Sequence, residues 1–516
     1  MRIRGIVPAG LLLLPAVAGG WILRDMVPDN GARLFAQVVS LVKTNAIAPL
    51  TEDEVYQHAA RGLVADLGDA YADLYSPEEI AAFNRESLGN SYGGLGMLIE
   101  SQDGLITVTK VFPATPAERG GVMPGDRIIR VGDKPTRNLK IEDVSKMLLG
   151  PIGTQVKVLF HREGMTEGLE GTYTRAQVQR PAVPFAVIIG RDIGYIPLQR
   201  FSENSAKEVR AALLKLRGEG AKSYVLDLRG NGGGSVNEAL NITNLFLDPG
   251  QEIAQVRFRG KPNEVSLTRF PAVSKTEPVV VLIDPYTASA SEIVTGALQD
   301  HDRALVVGTT SFGKGLVQEI YTLQDQWALK MTVGKWYTPA GRTIQLERDE
   351  NGIPIDSAAN AKRPEFKSDG GRIVFGGGGI VPDVKADPDT VSLVESNFIR
   401  QLGTKRNAVY IAVYDQALAV KGSVKPGFTI QQSWRDGVFA HLQKSDAGVT
   451  REQFDAARTL IDRLLELRIA TLAFGDGSAF LLSIHDDAPV RAAVTLLEKG
   501  RTQKDLFALA TTKNGG

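Results

Sequence analysis

Between residues 181 and 388 the chain alternates short, almost wholly apolar runs with helix-spaced segments, and this alternation most limits the folds open to it. Residues 193–196, 224–228, 279–283 and 304–307 read as strands. Runs such as Val279-Val280-Val281-Leu282-Ile283 carry apolar side chains at successive positions, so both faces of the strand must be covered. Helices expected near 206–216, 236–247 and 290–299 fall between these strands and supply covers. The expected architecture is a layered α/β core, and in 516 residues it occupies about one of three domains.

The flanks have a different texture. Residues 28–87 read as helical: Thr51 precedes Glu54, and Ser76 precedes Glu79, at capping-box spacing. Val55, Ala59, Leu63 and Leu67 then hold an i, i+4 apolar stripe. Residues 88–180 switch to short strands and glycine turns around a single helix near 141–149, with Val156, Val158 and Phe160 alternating along one strand. Residues 389–516 read as mostly helical, with a further capping box at Thr450 and Gln453.

Residues 1–27 combine Arg2 and Arg4 with an apolar run through Leu11-Leu12-Leu13-Leu14 and a small-x-small end at Ala16-Val17-Ala18. The pattern favours export, as either a cleaved signal peptide or a retained membrane anchor. Lys plus Arg and Asp plus Glu each total 59, and no dense basic run interrupts the balance, so a nucleic-acid partner is not expected. The absence of cysteine removes disulfides, thiol catalysis and thiolate metal ligands.

Chemistry gathers where strands meet helices. Ser289, in Thr287-Ala288-Ser289-Ala290-Ser291-Glu292, lies at a strand-to-helix turn, where a hydroxyl is lifted off the sheet beside free helical amides. The same residue is an ordinary helix N-cap when nothing else agrees. Of the five histidines only His301 shares this layer, but it follows the far end of the helix, about 18 Å of rise away. Lys314, between Gly313 and Gly315 after the next strand, returns to the same sheet edge as Ser289, and Gln318 follows it by four positions. A lysine must lose its proton to act as a base, which partial burial against Phe312, Leu316 and Val317 favours. Otherwise it is a surface lysine in a glycine turn. The loop Asp227-Leu228-Arg229-Gly230-Asn231-Gly232-Gly233-Gly234 ends a third strand and lacks the Gly-Lys-Ser/Thr of a phosphate loop.

In this order, with Lys314 following Ser289 by 25 positions, these motifs resemble the C-terminal processing (tail-specific) peptidases. Gly377-Gly378-Gly379-Ile380-Val381-Pro382-Asp383 is similar to the segment that closes their catalytic domain. The resemblance implies a crotonase/ClpP-like core with Ser289 as nucleophile, Lys314 as base and Gln318 orienting it. It also implies an oxyanion hole from the amides of Ala290 and of Gly233 or its neighbour. Tyr92-Gly93-Gly94-Leu95-Gly96 and Gly121-Val122-Met123-Pro124-Gly125-Asp126 resemble a PDZ domain, which implies capture of C-terminal tails beside Gly94, Leu95, Gly96, Met97, Val144 and Leu148. The start of the matching helix, Ile141-Glu142-Asp143, lacks the histidine that some PDZ domains use, so apolar tails are expected.

The expected organisation is therefore a signal or anchor over 1–27, an N-terminal helical region over 28–87, a PDZ-like module over 88–180, a Ser/Lys peptidase core over 181–388 and a helical region over 389–516. The expected activity is endoproteolysis near unstructured or apolar C-terminal tails, in the periplasm or on the inner membrane facing it, without metal or cofactor. An adaptor protein and a homo-oligomer are further expected partners. A noncatalytic PDZ scaffold and a crotonase-like acyl hydrolase are the alternatives.

Overall fold

The computed structural model describes residues 30–513 apart from 85–90, 103, 113, 163–164, 166–167, 350–352, 356–362, 391, 404–405 and 445–447. The signal or anchor expected over 1–27 lies outside the described residues.

Residues 30–77 and 319–332 form one compact unit. Its helices are Asn30–Asn45 and Glu52–Ala65. The second starts where the sequence dictates: the Thr51 amide donates to Glu54 Oε2 at 2.7 Å, and the Glu54 amide returns to Thr51 Oγ1 at 3.3 Å. The region is not wholly helical. Asp73–Tyr75 is a strand, paired antiparallel with residues 328–330. The expected apolar stripe is also only partly used: Val55 is buried, Leu63 is exposed, and Leu67 lies beyond the end of the helix.

Residues 78–318 and 333–516 form the second unit. Its first part is a β module in which Met97–Gln102, Leu105–Val111, Arg127–Val131, Gln155–His161 and Leu169–Thr174 pair antiparallel in that order. Ser91–Gly94 pairs separately with Ala176–Gln179. Val156, Val158 and Phe160 point into the module's core, as their alternation requires. Two helices, not one, interrupt the strands: Ile141–Leu148, and the single turn Pro116–Arg119, whose amide of Glu118 is capped by Thr115.

The central sheet of the second unit runs Val187–Ile189, Ile193–Pro197, Ser223–Asp227, Val279–Ile283, Leu305–Gly308, Val384–Lys385, all parallel except the first. On one face, Tyr224, Leu226, Val279 and Val281 pack against Leu213, Ile242, Val294 and Leu298 of the helices Ser205–Gly218, Val236–Thr243 and Ala290–Asp300. The other face buries Val225, Val280, Leu282 and Val307 under Val490, Ala493, Leu497 and Leu506. These last residues belong to Ala488–Lys499 and Gln503–Lys513, at the end of the chain. Each fully buried side chain of this kind contributes roughly 1.5–3 kcal/mol. The final helices are thus structural parts of the α/β core.

The preceding helices hold a separate core around Phe398, Val413, Val438, Phe454 and Ile461. This bundle also braces the β module, where Tyr414 Oη donates to the Val108 carbonyl at 3.2 Å.

Candidate active site

Three loops leave neighbouring parallel strands at the same sheet edge and meet around Ser289. Strand Val279–Ile283 ends in a turn tied down by Thr287, whose Oγ1 donates to the Leu228 carbonyl at 2.9 Å and accepts from the Asp284 amide at 3.0 Å. The helix Ala290–Asp300 follows, so Ser289 stands at its mouth with φ +56° and ψ −114°. For a non-glycine residue that backbone costs on the order of 1–3 kcal/mol and persists only where its surroundings fix it. A sharp strand-to-helix elbow is what lifts a serine hydroxyl clear of a sheet.

The glycine loop after Ser223–Asp227 closes on this elbow. The carbonyl of Asn231 accepts from the Ala288 amide at 3.0 Å and from Ser291 Oγ at 2.8 Å, while Asn231 Nδ2 donates to the Leu198 carbonyl. Gly233 has φ +100°, and a Cβ there would lie 2.9 Å from Ser289 Cβ and 3.0 Å from the Ala290 amide nitrogen. Only glycine allows that approach. The Ala290 amide meets no hydrogen-bond acceptor among the described residues, whereas the Gly233 amide donates to Asn231 Oδ1 at 3.0 Å. An anion beside Ser289 therefore finds the Ala290 donor open and the Gly233 donor shared with Asn231.

Glu292 joins the elbow to the loop that follows strand Leu305–Gly308. It is completely buried and accepts four hydrogen bonds: Oε1 from Ser311 Oγ at 2.5 Å and the Gly313 amide at 2.7 Å, Oε2 from the amides of Ser289 at 2.8 Å and Lys314 at 2.9 Å. The backbone nitrogens of Ser289 and Lys314 share one oxygen, so they can be no farther apart than the sum of those two bonds. Burial pushes the Glu292 carboxyl above its ordinary range, and the four donors pull it back.

Lys314 is half-buried, its carbonyl accepting from Trp336 Nε1 at 3.1 Å. Gln318, also half-buried, lies in the strand Leu316–Thr322. His301 closes the far end of the helix and contacts Asp369 and the Glu252 carbonyl, away from Ser289. Sequence reasoning missed Glu292 as a site residue, although the Ser-x-x-Glu spacing with Ser289 announces a capping box.

In the β module a cavity of about 620 Å³ is lined by Leu95, Gly96, Met97 and Leu148, four of the residues expected to bind a tail. Val144 is fully buried in the module's core instead. Ile141, Ser145 and Leu148, spaced i, i+4, i+7, present the helix face that lines the cavity. Gly94 pairs with Ala176 rather than lining it. Lys146 and Arg180 also line it, two cations suited to a carboxylate that no sequence pattern singles out. No group of three metal-ligating side chains occurs among the described residues.

Residues 192–357 match Peptidase family S41, and residues 107–162 match the PDZ domain. The chain is 31% identical over 332 residues to the carboxy-terminal processing protease CtpA of Bacillus subtilis, covering 64% of this chain and 70% of that protein. It is 35% identical over 319 residues to a carboxy-terminal-processing protease of Bartonella bacilliformis, covering 60% and 72%. Among solved structures, the photosystem II D1 C-terminal processing protease is 27% identical, with a TM-score of 0.37 over 61% of this chain and 84% of that one.

Proposed function

The chain belongs to peptidase family S41, the carboxy-terminal processing proteases, and is therefore a serine peptidase; from that premise we propose an exported endopeptidase that works with a Ser289/Lys314 dyad on proteins ending in unstructured or apolar tails. Ser289 Oγ attacks the scissile carbonyl carbon while the neutral Lys314 amine takes the hydroxyl proton. The C–N bond then breaks, the ammonium returns that proton to the leaving amine, and a serine ester remains. Water, deprotonated by the same amine, attacks the ester and frees Ser289. Gln318 orients Lys314. The amide of Ala290 stabilises the tetrahedral oxyanion together with that of Gly233, which turns from Asn231 to the substrate.

The observation that carries this reading is the single Glu292 oxygen shared by the Ser289 and Lys314 amides, because it ties the two proposed reacting residues to one buried anchor. The central sheet between two helical layers supports assignment to the crotonase/ClpP-like architecture. The cavity beside Leu95, Met97 and Leu148, with Lys146 and Arg180 at hand, is proposed to receive the substrate's C-terminus as an added strand. The N-terminal sequence supports action in the periplasm, either free or anchored, with an adaptor and self-association as proposed partners.

The test is gel-resolved degradation of an unfolded protein with an apolar C-terminal tail by the wild type and by Ser289→Ala. Loss of cleavage in the variant is expected. Cleavage surviving in it would remove Ser289 as nucleophile. A PDZ scaffold without activity would bind the tail and cleave it in neither form.

A further inference from the structure

Arg229 stands at the root of the glycine loop, two residues after strand Ser223–Asp227 and four before Gly233. Its guanidinium is held from two directions. Asp227 Oδ1 accepts from Nε at 3.0 Å and Asp227 Oδ2 from Nη2 at 2.6 Å. Asp487, 258 positions later, accepts from Nη1 through Oδ1 and from Nη2 through Oδ2, both at 2.8 Å. Tyr195 Oη in turn donates to Asp227. A planar guanidinium gripped by two carboxylates has no free rotation left, which is the use to which such forks are suited.

Asp487 is delivered by the last part of the chain. It is the N-cap of Ala488–Lys499, with Oδ1 also accepting the Val490 amide at 3.1 Å, and that helix is packed on the far face of the central sheet. The loop is tied to the elbow on its other side by the Gly230 amide, which donates to Asp284 Oδ1 at 3.0 Å. With Asp227 alone, Nη1 would lack its carboxylate and the root of the loop would lose this tie to the helix on the far face of the sheet.

We propose that Asp487 is a positioning residue for peptide hydrolysis: its fork with Arg229 fixes the glycine loop so that Gly233 stays against Ser289. This rests on the proposed assignment of Gly233 to the oxyanion hole. A displacement of about 1 Å at reacting atoms costs on the order of 100-fold in rate, so loss of the restraint at the loop's root is expected to lower kcat about tenfold or more. Substrate capture in the β module does not involve the loop, so KM for a tailed substrate stays the same.

The experiment uses the full chain and a fluorogenic peptide with an apolar C-terminus, and measures kcat and KM for Asp487→Asn, Asp487→Glu, Arg491→Ala and Ser289→Ala. Asparagine keeps the helix cap but not the charged fork. The expected result is a kcat lowered about tenfold or more for Asp487→Asn with KM within about twofold, and partial recovery in Asp487→Glu. Arg491→Ala removes the neighbouring fork to Asp389 from the same helix and should leave kcat within about twofold. A kcat for Asp487→Asn within about twofold of wild type, with Ser289→Ala inactive, overturns the proposal alone. An equal loss in Arg491→Ala also overturns it, because Asp487 would then only hold the helix in place. Full activity in Ser289→Ala would instead sink the underlying reading of the site. Should Asp487→Asn lack a cooperative unfolding transition, Asp487→Ser, another good N-cap, replaces it in the same comparison.

Discussion

The substitution Glu292→Gln changes one atom's chemistry at the point where the loops of Ser289 and Lys314 meet. In the wild type each carboxylate oxygen accepts two hydrogen bonds inside a fully buried pocket. The glutamine side chain would set an NH2 group where one oxygen stands: turned toward Ser289 and Lys314 it meets two amide donors, and turned toward Ser311 and Gly313 it meets only one, because the Ser311 hydroxyl can accept. The second orientation is therefore expected, and its one buried unpaired donor costs about 1–3 kcal/mol. A neutral amide also relieves the cost of burying a charge, the cost that pushes the Glu292 carboxyl upward, so the lower part of that range is expected. Amide hydrogen exchange on peptides spanning residues 286–292 and 311–316 reads the local effect directly. A loss of about 1 kcal/mol corresponds to exchange about fivefold faster at the amides of Ser289, Gly313 and Lys314. Cleavage of a tailed substrate should fall about fivefold, since the anchor common to both proposed reacting residues is weakened. Unchanged exchange together with cleavage within about twofold of wild type would refute the reasoning, because the four bonds would then hold neither loop.

Lys314→Arg keeps the positive charge but cannot give up its proton, so turnover should fall to the level of Lys314→Ala, at least about a hundredfold below wild type in a steady-state peptide assay. Gly233→Ala forces a Cβ to within 3.0 Å of Ser289 Cβ and the Ala290 amide at a positive φ, and should lower kcat by about a hundredfold while substrate binding is retained, as kinetics at varied substrate concentration will tell. Ile141→Glu puts a carboxylate on the face of the β-module cavity, where it repels an incoming C-terminus; KM for a tailed peptide should rise several-fold and KM for the same peptide with an amidated end should rise less.

The elements that can be read from the chain are those whose signal is local. The capping boxes at Thr51 and Thr450 form as spaced, and the apolar runs 193–196 and 279–283 are strands of the sheet. The helix expected over 236–247 ends at Thr243 because the four residues beyond it turn away, with Leu245 and Phe246 bonded back as single turns. Asp73–Tyr75 escapes a reading by pattern because three residues show no periodicity, and only pairing with residues 328–330 makes them a strand. In the β module, Leu148 lines the cavity and Val144 is buried in the core, since one face of a short helix lines the cavity while another enters the core.

The sequence by itself determined the order of motifs, the α/β alternation and the turn at Ser289, because strand, helix and cap preferences are set within a few residues. It also required a second cover for strands apolar on both faces, without saying where that cover would come from. Tertiary structure alone decided that helices Ala488–Lys499 and Gln503–Lys513 supply it, that Glu292 joins the amides of Ser289 and Lys314, and that Asp487 reaches Arg229. These are contacts between segments as much as 258 positions apart or more, fixed by which strands lie side by side and which helix fills a face, and no local pattern carries that information.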